Sequence, residues 1–427
     1  MSDMRLIHKN EKGMVLPLGL MFLAIIAILG TTAVIVTTTD LKIGSNYRAS
    51  EQAFYNAEAG IERAKLVLFQ DSGNGLDDEL LGADATANTA DDGILSFGSS
   101  VSFGNGSYSV VVTDNDDGDG DLFADSDGKV IVTSTGTAPN NAKSVIKATV
   151  ELESLFSKAA FGCDEVQMSG GGVTDSFDSS IGSYASQAVN TDSWGNMIAL
   201  SNGDVGSNGD IKLTGGSAVN GDATPGPGCS VSSSGGGGVT GSTAPNSQTE
   251  DCTPLDLTSM MSTASSTNDN GTIPALTDKG KDPFKTPGSL DLHLSGGDNI
   301  DLSAGTYYFT DVSLGGGSTI TTSGKVTIYV DGDYDISGGG LVNSGNATDL
   351  TVYVSGTQAK LTGGSGTAGA IYAPNADVLI SGGGEINGSV FGKTVKNSGG
   401  SDFHYDEALG KKGPYLSAKI INWHEVF

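Results

Sequence analysis

Between Met14 and Val36 the chain carries no charge and few polar groups (MVLPLGLMFLAIIAILGTTAVIV). As an α-helix this run spans roughly 34 Å, enough to cross a bilayer. Arg5, Lys9 and Lys12 precede it, which puts the N-terminal side in the cytoplasm and the body outside the inner membrane. Pro17, Gly19 and Gly30 loosen the helix locally. From Ser50 the pattern becomes amphipathic: Ala53, Ala57, Ile61, Ala64 and Leu68 recur every three or four residues, a helical period. Glu51, Glu58, Glu62 and Lys65 occupy the other faces. One helix over 14–70 is predicted, spanning the membrane over 14–36 and packing on a globular head thereafter.

Beyond residue 71 the period shortens to two. SYSVVVTDND, KVIVTSTGTAP and SVIKATVELES read as strands, so 71–157 forms a small antiparallel head with acidic loops. Near 154–162 glycine and serine rise and charge falls. Region 158–410 then repeats a short alternating run followed by a glycine cluster: VQMSGGGV, IKLTGGSAV, VSLGGGSTI, YDISGGGLV, AKLTGGSGT, VLISGGGEI. Between Gly315 and Gly384 the spacing suits one turn of a β-solenoid of the right-handed parallel β-helix kind. Glycines then form the corners, where φ is positive. The alternative is a β-sandwich with glycine-rich turns. Residues 225–290, rich in Pro, Gly, Ser, Thr and Asn, read as a surface insertion, and 411–427 as a C-terminal strand or tail. The fold class is α+β.

Charge narrows the partners. The 427 residues carry a formal charge of −28. Removing residues 1–13, with three basic (Arg5, Lys9, Lys12) and two acidic (Asp3, Glu11) side chains, leaves about −29. A body this acidic argues against nucleic acid, whose phosphates need clustered Lys and Arg, and favours cations. The 64 glycines show no three-residue period, which excludes collagen.

The clearest metal candidate is DNDDGDGDLFADSDG (114–128). Its oxygen-bearing residues Asn115, Asp117, Asp119, Asp121, Asp125 and Asp127 recur at the short spacing that calcium loops use, with Gly120 at the sharp turn. Ser126 stands where an EF-hand needs its last glutamate, so the loop looks more like the calcium loops of thrombospondin repeats. The alternative is a solvated acidic turn. Segment 71–93 is a second, weaker candidate. Three cysteines occur, Cys163, Cys229 and Cys252. Cys229–Cys252 is the preferred disulfide, since it closes a Gly/Ser-rich loop. FHYD (403–406) offers His404 and Asp406 as a base and its orienter. With no recognisable nucleophile motif, a structural His–Tyr pair closing the last coil is the better reading. His8, His293 and His424 are isolated. Tyr307, Tyr308, Tyr329, Tyr334 and Tyr353 either stack on sugars or fill the core. Asp331, Asp333 and Asp335 share a strand spacing, the minimum a carbohydrate-active site requires.

Two further segments carry a resemblance. Lys12-Gly13 followed by Met14, with AFYNAEAGIERA at 53–64, resembles the N-terminal region of PilX-type minor pilins of type IV pili, over about residues 10–70. The resemblance implies cleavage by a prepilin peptidase after Gly13, exposing the amine of Met14, which such enzymes commonly methylate. It implies an inner-membrane precursor that joins other major and minor pilins through its helix and ends in an extracellular pilus. Counting from Met14, the fifth residue is Leu18, where most pilins carry a glutamate that pairs with the amine of the subunit below. A subunit without that carboxylate need not sit above another, and it suits the tip or a priming role. Residues 369–409, ending in SGGSDFHYDEAL, resemble Gly-rich C-terminal domains found fused to PilX-type N-termini, with DSFDSS (175–180) as the opening of the same module. The expectation is therefore a non-enzymatic minor pilin that presents an adhesive surface to polysaccharide, host or mineral. The alternatives are a type II secretion pseudopilin and a membrane-tethered, carbohydrate-active β-helix protein.

Overall fold

The computed structural model describes residues 15–71, 76–115, 120–125, 127–343, 346–363, 366–411 and 413–426. Helix α1 (Val15–Asp71) runs without a break. Its first half is exposed. Its second half buries Ala53, Ala57, Ile61, Ala64 and Leu68, the stripe that the 3.6-residue period predicts. Small side chains on that stripe let the helix lie close to the sheet. A Cβ on Gly136 would sit 2.0 Å from the carbonyl oxygen of Ala53, and one on Gly60 2.2 Å from Oγ of Ser134.

Opposite the helix stands a five-stranded antiparallel sheet ordered Val101–Phe103, Gly106–Asp114, Lys129–Ala138, Ala142–Ser154, Tyr415–Val426. Its helix-facing residues Val110, Val112, Val130, Val132, Ile146, Ala148 and Val150 are buried. The three central strands are those the alternation predicts. The fifth is the last strand of the chain, which returns across the whole intervening domain to pair with Ala142–Ser154.

Between those two strands lies a β-solenoid, not a sandwich: its rungs pair in parallel throughout. One face stacks Asp291–Leu294, Asp311–Leu314, Tyr334–Ser337, Gln358–Thr362, 377–381, 394–398, 165–168, Ile211–Leu213 and Val231–Ser233 in spatial order. Inward residues form continuous columns, such as Leu294, Leu314, Ile336, Leu361 and Ile380, all nearly inaccessible. Glycine pairs with positive φ turn the same corner of successive coils, among them Gly170–Gly171, Gly215–Gly216, Gly316–Gly317 and Gly399–Gly400. These corners are so close that a Cβ on Gly170 would lie 3.0 Å from the Gly399 nitrogen.

Stack order differs from chain order. The last coil (385–406) pairs with the first (160–177), so both ends of the solenoid meet inside the stack. Coils 205–239 extend one way, and 291–398 approach from the other. Residues 240–290, expected as part of a loose insertion, are the strap that joins the two extremities. The remainder of that expected insertion, 225–239, contributes a rung. Composition hides this, because side-chain amides and carboxylates hold much of the strap and its apolar stripe is confined to one short helix. The Asn270 carboxamide accepts from the Tyr308 N–H and donates to its carbonyl, and Asp269 takes the N–H of Thr306.

Replacing Gly136 with valine is expected to cost about 2 kcal/mol or more, as overpacking does. Urea unfolding of the detergent-solubilised protein measures it. An unchanged midpoint would show that helix and sheet do not touch as described.

Candidate functional site

The N-terminal half of α1 is the first functional surface. Leu16, Leu18, Phe22, Ile26 and Leu29 are more than half exposed, and the helix is long and apolar enough to cross a membrane. Its hydroxyls are internally satisfied: Thr31, Thr32, Thr37 and Thr38 each donate to a carbonyl three or four residues back, which apolar surroundings demand. Gly13 and Met14, the expected cleavage site, lie outside the described residues.

In the acidic loop, Asn115, Asp121, Asp125 and Asp127 are described, and Asp117 and Asp119 lie outside the described residues. The Asn115 carboxamide donates to Asp127 at 3.3 Å. Asp125 accepts the N–H groups of Gly128 and Lys129 and donates its own N–H to Asp77 at 2.7 Å. Burial pushes the Asp125 carboxyl up to about 7, opposed by the Lys129 N–H and reinforced by Asp127 and Asp77. Asp127 is partly neutralised by Lys129 at 3.0 Å. These are hard oxygen donors, the kind calcium takes. Among the described residues, though, no three acidic, His or Cys side chains converge on one point. Around 84–92, Thr89 ties Asp84, Asp91 and Asp92 into a self-bonded turn.

The disulfide expectation is corrected. Cys252 bonds to Cys163, and Cys229 is free. The bond fastens the strap to the first coil instead of closing the Gly/Ser loop. Local spacing favoured Cys229–Cys252, whereas coil stacking brings Cys163 to the strap. Asn208 organises this corner. Its carboxamide exchanges two hydrogen bonds with the Glu250 backbone and lies 3.3 Å from Sγ of Cys252.

The tyrosines divide by face. Tyr307 and Tyr334 fill the core. Tyr308, Tyr329 and Tyr353 are in register on an outer face and continue through Tyr372, Phe391 and Phe161. From Tyr329 onward the rings lie 5.1, 6.1, 5.0 and 4.8 Å apart. No sugar reaches this ladder, because the strap covers it. Helix α2 (Leu257–Thr267) lays Leu257, Met261 and Ala264 upon its far end, and the Tyr372 hydroxyl donates to the Cys252 carbonyl. Asp331 and Asp333 are also spoken for. The first accepts from the Tyr308 hydroxyl, the second from the N–H groups of Thr357 and Gln358.

His404 is buried, and its partner is not Asp406. Nδ1 lies 2.5 Å from Oδ1 of Asp175 on the adjoining coil. The Tyr184 hydroxyl donates to the other Asp175 oxygen at 3.0 Å, and its ring stacks on His404 with centroids 3.6 Å apart. Asp406 instead accepts the N–H groups of Ser179 and Ala408. Tyr405 points inward, with its hydroxyl on the Phe156 carbonyl. The tyrosine that pairs with His404 is therefore Tyr184 and not the Tyr405 of the FHYD segment. Asp175 and Tyr184 escaped sequence reasoning, since a separation of 229 residues between His404 and Asp175 leaves no local signal.

Residues 12–62 match the PilX N-terminal family model. A domain of unknown function (DUF7305) matches twice, over 239–341 and 311–412, as a repeating solenoid would. No curated protein matches the chain. Among solved structures, the competence-associated pilin ComZ from Thermus thermophilus aligns over 88% of this chain and 97% of its own at 13% identity, with a TM-score of 0.26. That score is too low to bear on the argument. The PilX match, together with a long helix whose second half lies on a small antiparallel sheet, fits a membrane-anchored, type IV pilin-like protein. Its distinguishing part is the solenoid.

Non-reducing peptide mapping is expected to yield a Cys163–Cys252 cross-link, with Cys229 alkylated by maleimide. Cys252→Ser should lose about 4.6 kcal/mol in the chain-entropy account of a loop this long, and Cys229→Ser less than about 0.5 kcal/mol. A Cys229–Cys252 peptide would overturn the assignment.

Proposed function

We propose that this protein is a minor subunit of a type IV pilus that primes assembly or caps the tip and presents its solenoid as an adhesive, non-enzymatic surface. The carrying observation is α1: exposed and apolar in its first half, buried against the head in its second, and matching the PilX N-terminal model over 12–62. Such a helix has two stable environments, a bilayer and a bundle of like helices, and transfer between them conserves its apolar contacts. Leu18 supports tip placement. With no carboxylate there, the subunit offers no counter-charge to an amine below it, and an unpaired charge buried in an apolar bundle is expensive. On this reading a prepilin peptidase acts between Gly13 and Met14, the N-terminus is cytoplasmic in the single-pass precursor, and the head is exported.

N-terminal peptide mass spectrometry and immunogold labelling of sheared surface fibres test this together. The expected results are a peptide beginning at N-methylated Met14 and label concentrated at fibre ends. An uncut N-terminus confined to membranes would refute the pilin reading, and label spread along the shaft would refute tip placement.

We also propose that Asn115, Asp121, Asp125 and Asp127, with Asp117 and Asp119, hold calcium. The crowding of Asp125 by Asp127 and Asp77 supports it, because a divalent cation removes that repulsion. Calcium at a hundred times its dissociation constant should stabilise the protein by about 2.7 kcal/mol, reversibly with EDTA. A melting curve indifferent to both would leave these residues as an acidic turn.

A further inference from the structure

Where the solenoid passes from coil 385–406 to coil 160–177, a lid leaves the stack. Residues 178–203 depart after Phe177, form one helical turn at Tyr184–Gln187, and return through a bridge between Ser176 and Leu200. Trp194 and Ile198 of the lid pack on Val173 and Ala218 of the outer face. The lid covers Asp175 and His404 and stops there. The adjoining coils on the same face carry Asn387, in register with His404, and Ala368, in register with Asn387. A cleft of about 450 Å³ opens at this edge, walled by Tyr184 and Ser183 on one side and by Glu385, Asn387, Ala368 and Ala347 on the other. Its size is that of a small-ligand site.

The cleft is built, not incidental. Tyr184 is held twice, by its bond to Asp175 and by stacking on His404. The buried His404–Asp175 pair therefore positions an aromatic wall. A wall fixed in advance loses little entropy when a ligand arrives. Opposite it, Glu385 is exposed, with no ion-pair partner among the described residues, and Asp402 stands in register beside it. Burial pushes the Asp402 carboxyl up, and Glu385 and Asp175 add to this, against the Val173 N–H and His404. The site thus has an aromatic ring, a carboxamide and the exposed carboxylate of Glu385. The strap hides the aromatic ladder of the solenoid, whereas Tyr184 stands at an open cleft.

Resting on the adhesive reading above, we infer that the cleft binds a saccharide bearing a free amino group, such as a glucosamine unit of a deacetylated polysaccharide. Tyr184 packs on the pyranose, Asn387 takes ring hydroxyls, and Glu385 receives the ammonium. Anionic glycans are repelled by Glu385 and by a chain of charge −28, and neutral ones leave Glu385 unpaired.

Calorimetry of the full-length protein in detergent micelles, with glucosamine hexamer, its fully N-acetylated counterpart and a lysine hexapeptide as titrants, tests this. The glucosamine hexamer should bind, and added salt should weaken it. Glu385→Gln should cost about tenfold, the worth of one charge-assisted hydrogen bond, and Asn387→Ala somewhat less. Both positions lie outside the core, and unchanged melting curves will show that the variants fold. Equal affinity for the acetylated hexamer would overturn the charge selection, and equal affinity for the peptide the saccharide class. No binding, or binding indifferent to Glu385, would overturn the cleft. Incorporation of the Glu385→Gln protein into fibres reports separately on the pilin reading and stays normal if only the cleft is wrong.

Discussion

The seam between the last coil and the first organises the molecule. Val390, Phe391 and Gly392 pair in parallel with Ala160, Phe161 and Gly162, and His404 pairs with Asp175. Without these bonds the domain would be two short solenoids, each with an open edge. Closing the seam joins the apolar columns into one core and buries Phe161 and Phe391 against each other at 4.8 Å. It also brings His404 to Asp175. The entropy of that closure is spent once for the whole domain, and the many rungs that follow repay it.

The seam also fixes the join to the head. The chain leaves the sheet after Ser154 and re-enters it at Tyr415, and both passages meet the seam coils. Ser154 Oγ donates to the Leu409 carbonyl, Leu155 N–H to that of Pro414, and the Tyr405 hydroxyl to that of Phe156. Lys411 reaches Asp178 at 2.8 Å at the start of the lid. Head, seam and lid are therefore one bonded neighbourhood.

Legibility followed the range of the interaction. The stripe Ala53, Ala57, Ile61, Ala64, Leu68 and the strands around Val110, Val130 and Ile146 were plain, because helical and strand periods are written locally. The glycine corners announced a solenoid for the same reason. What no period encodes is which coil lies on which. The pairing of 385–406 with 160–177, the return of Tyr415–Val426 to the sheet and the Cys163–Cys252 bond each join residues far apart in the chain. Tyr308, Tyr329 and Tyr353 met the same limit. Spacing alone left them as core or as sugar-stacking rings, and the strap that covers them was disguised by a loop-like composition.

The paired attachment has a mechanical consequence. Ser154 and Tyr415 face each other across adjacent antiparallel strands, so both connections to the solenoid leave from the same end of the sheet. Tension on the solenoid draws Ala142–Ser154 and Tyr415–Val426 in one direction, side by side, along their own axes. The ladder between Ala142–Ser154 and Lys129–Ala138 then resists in shear, with all its hydrogen bonds loaded together. A head pulled at right angles to its strands would instead open one bond at a time. The fold is shaped to carry a load from the solenoid through the sheet to helix α1.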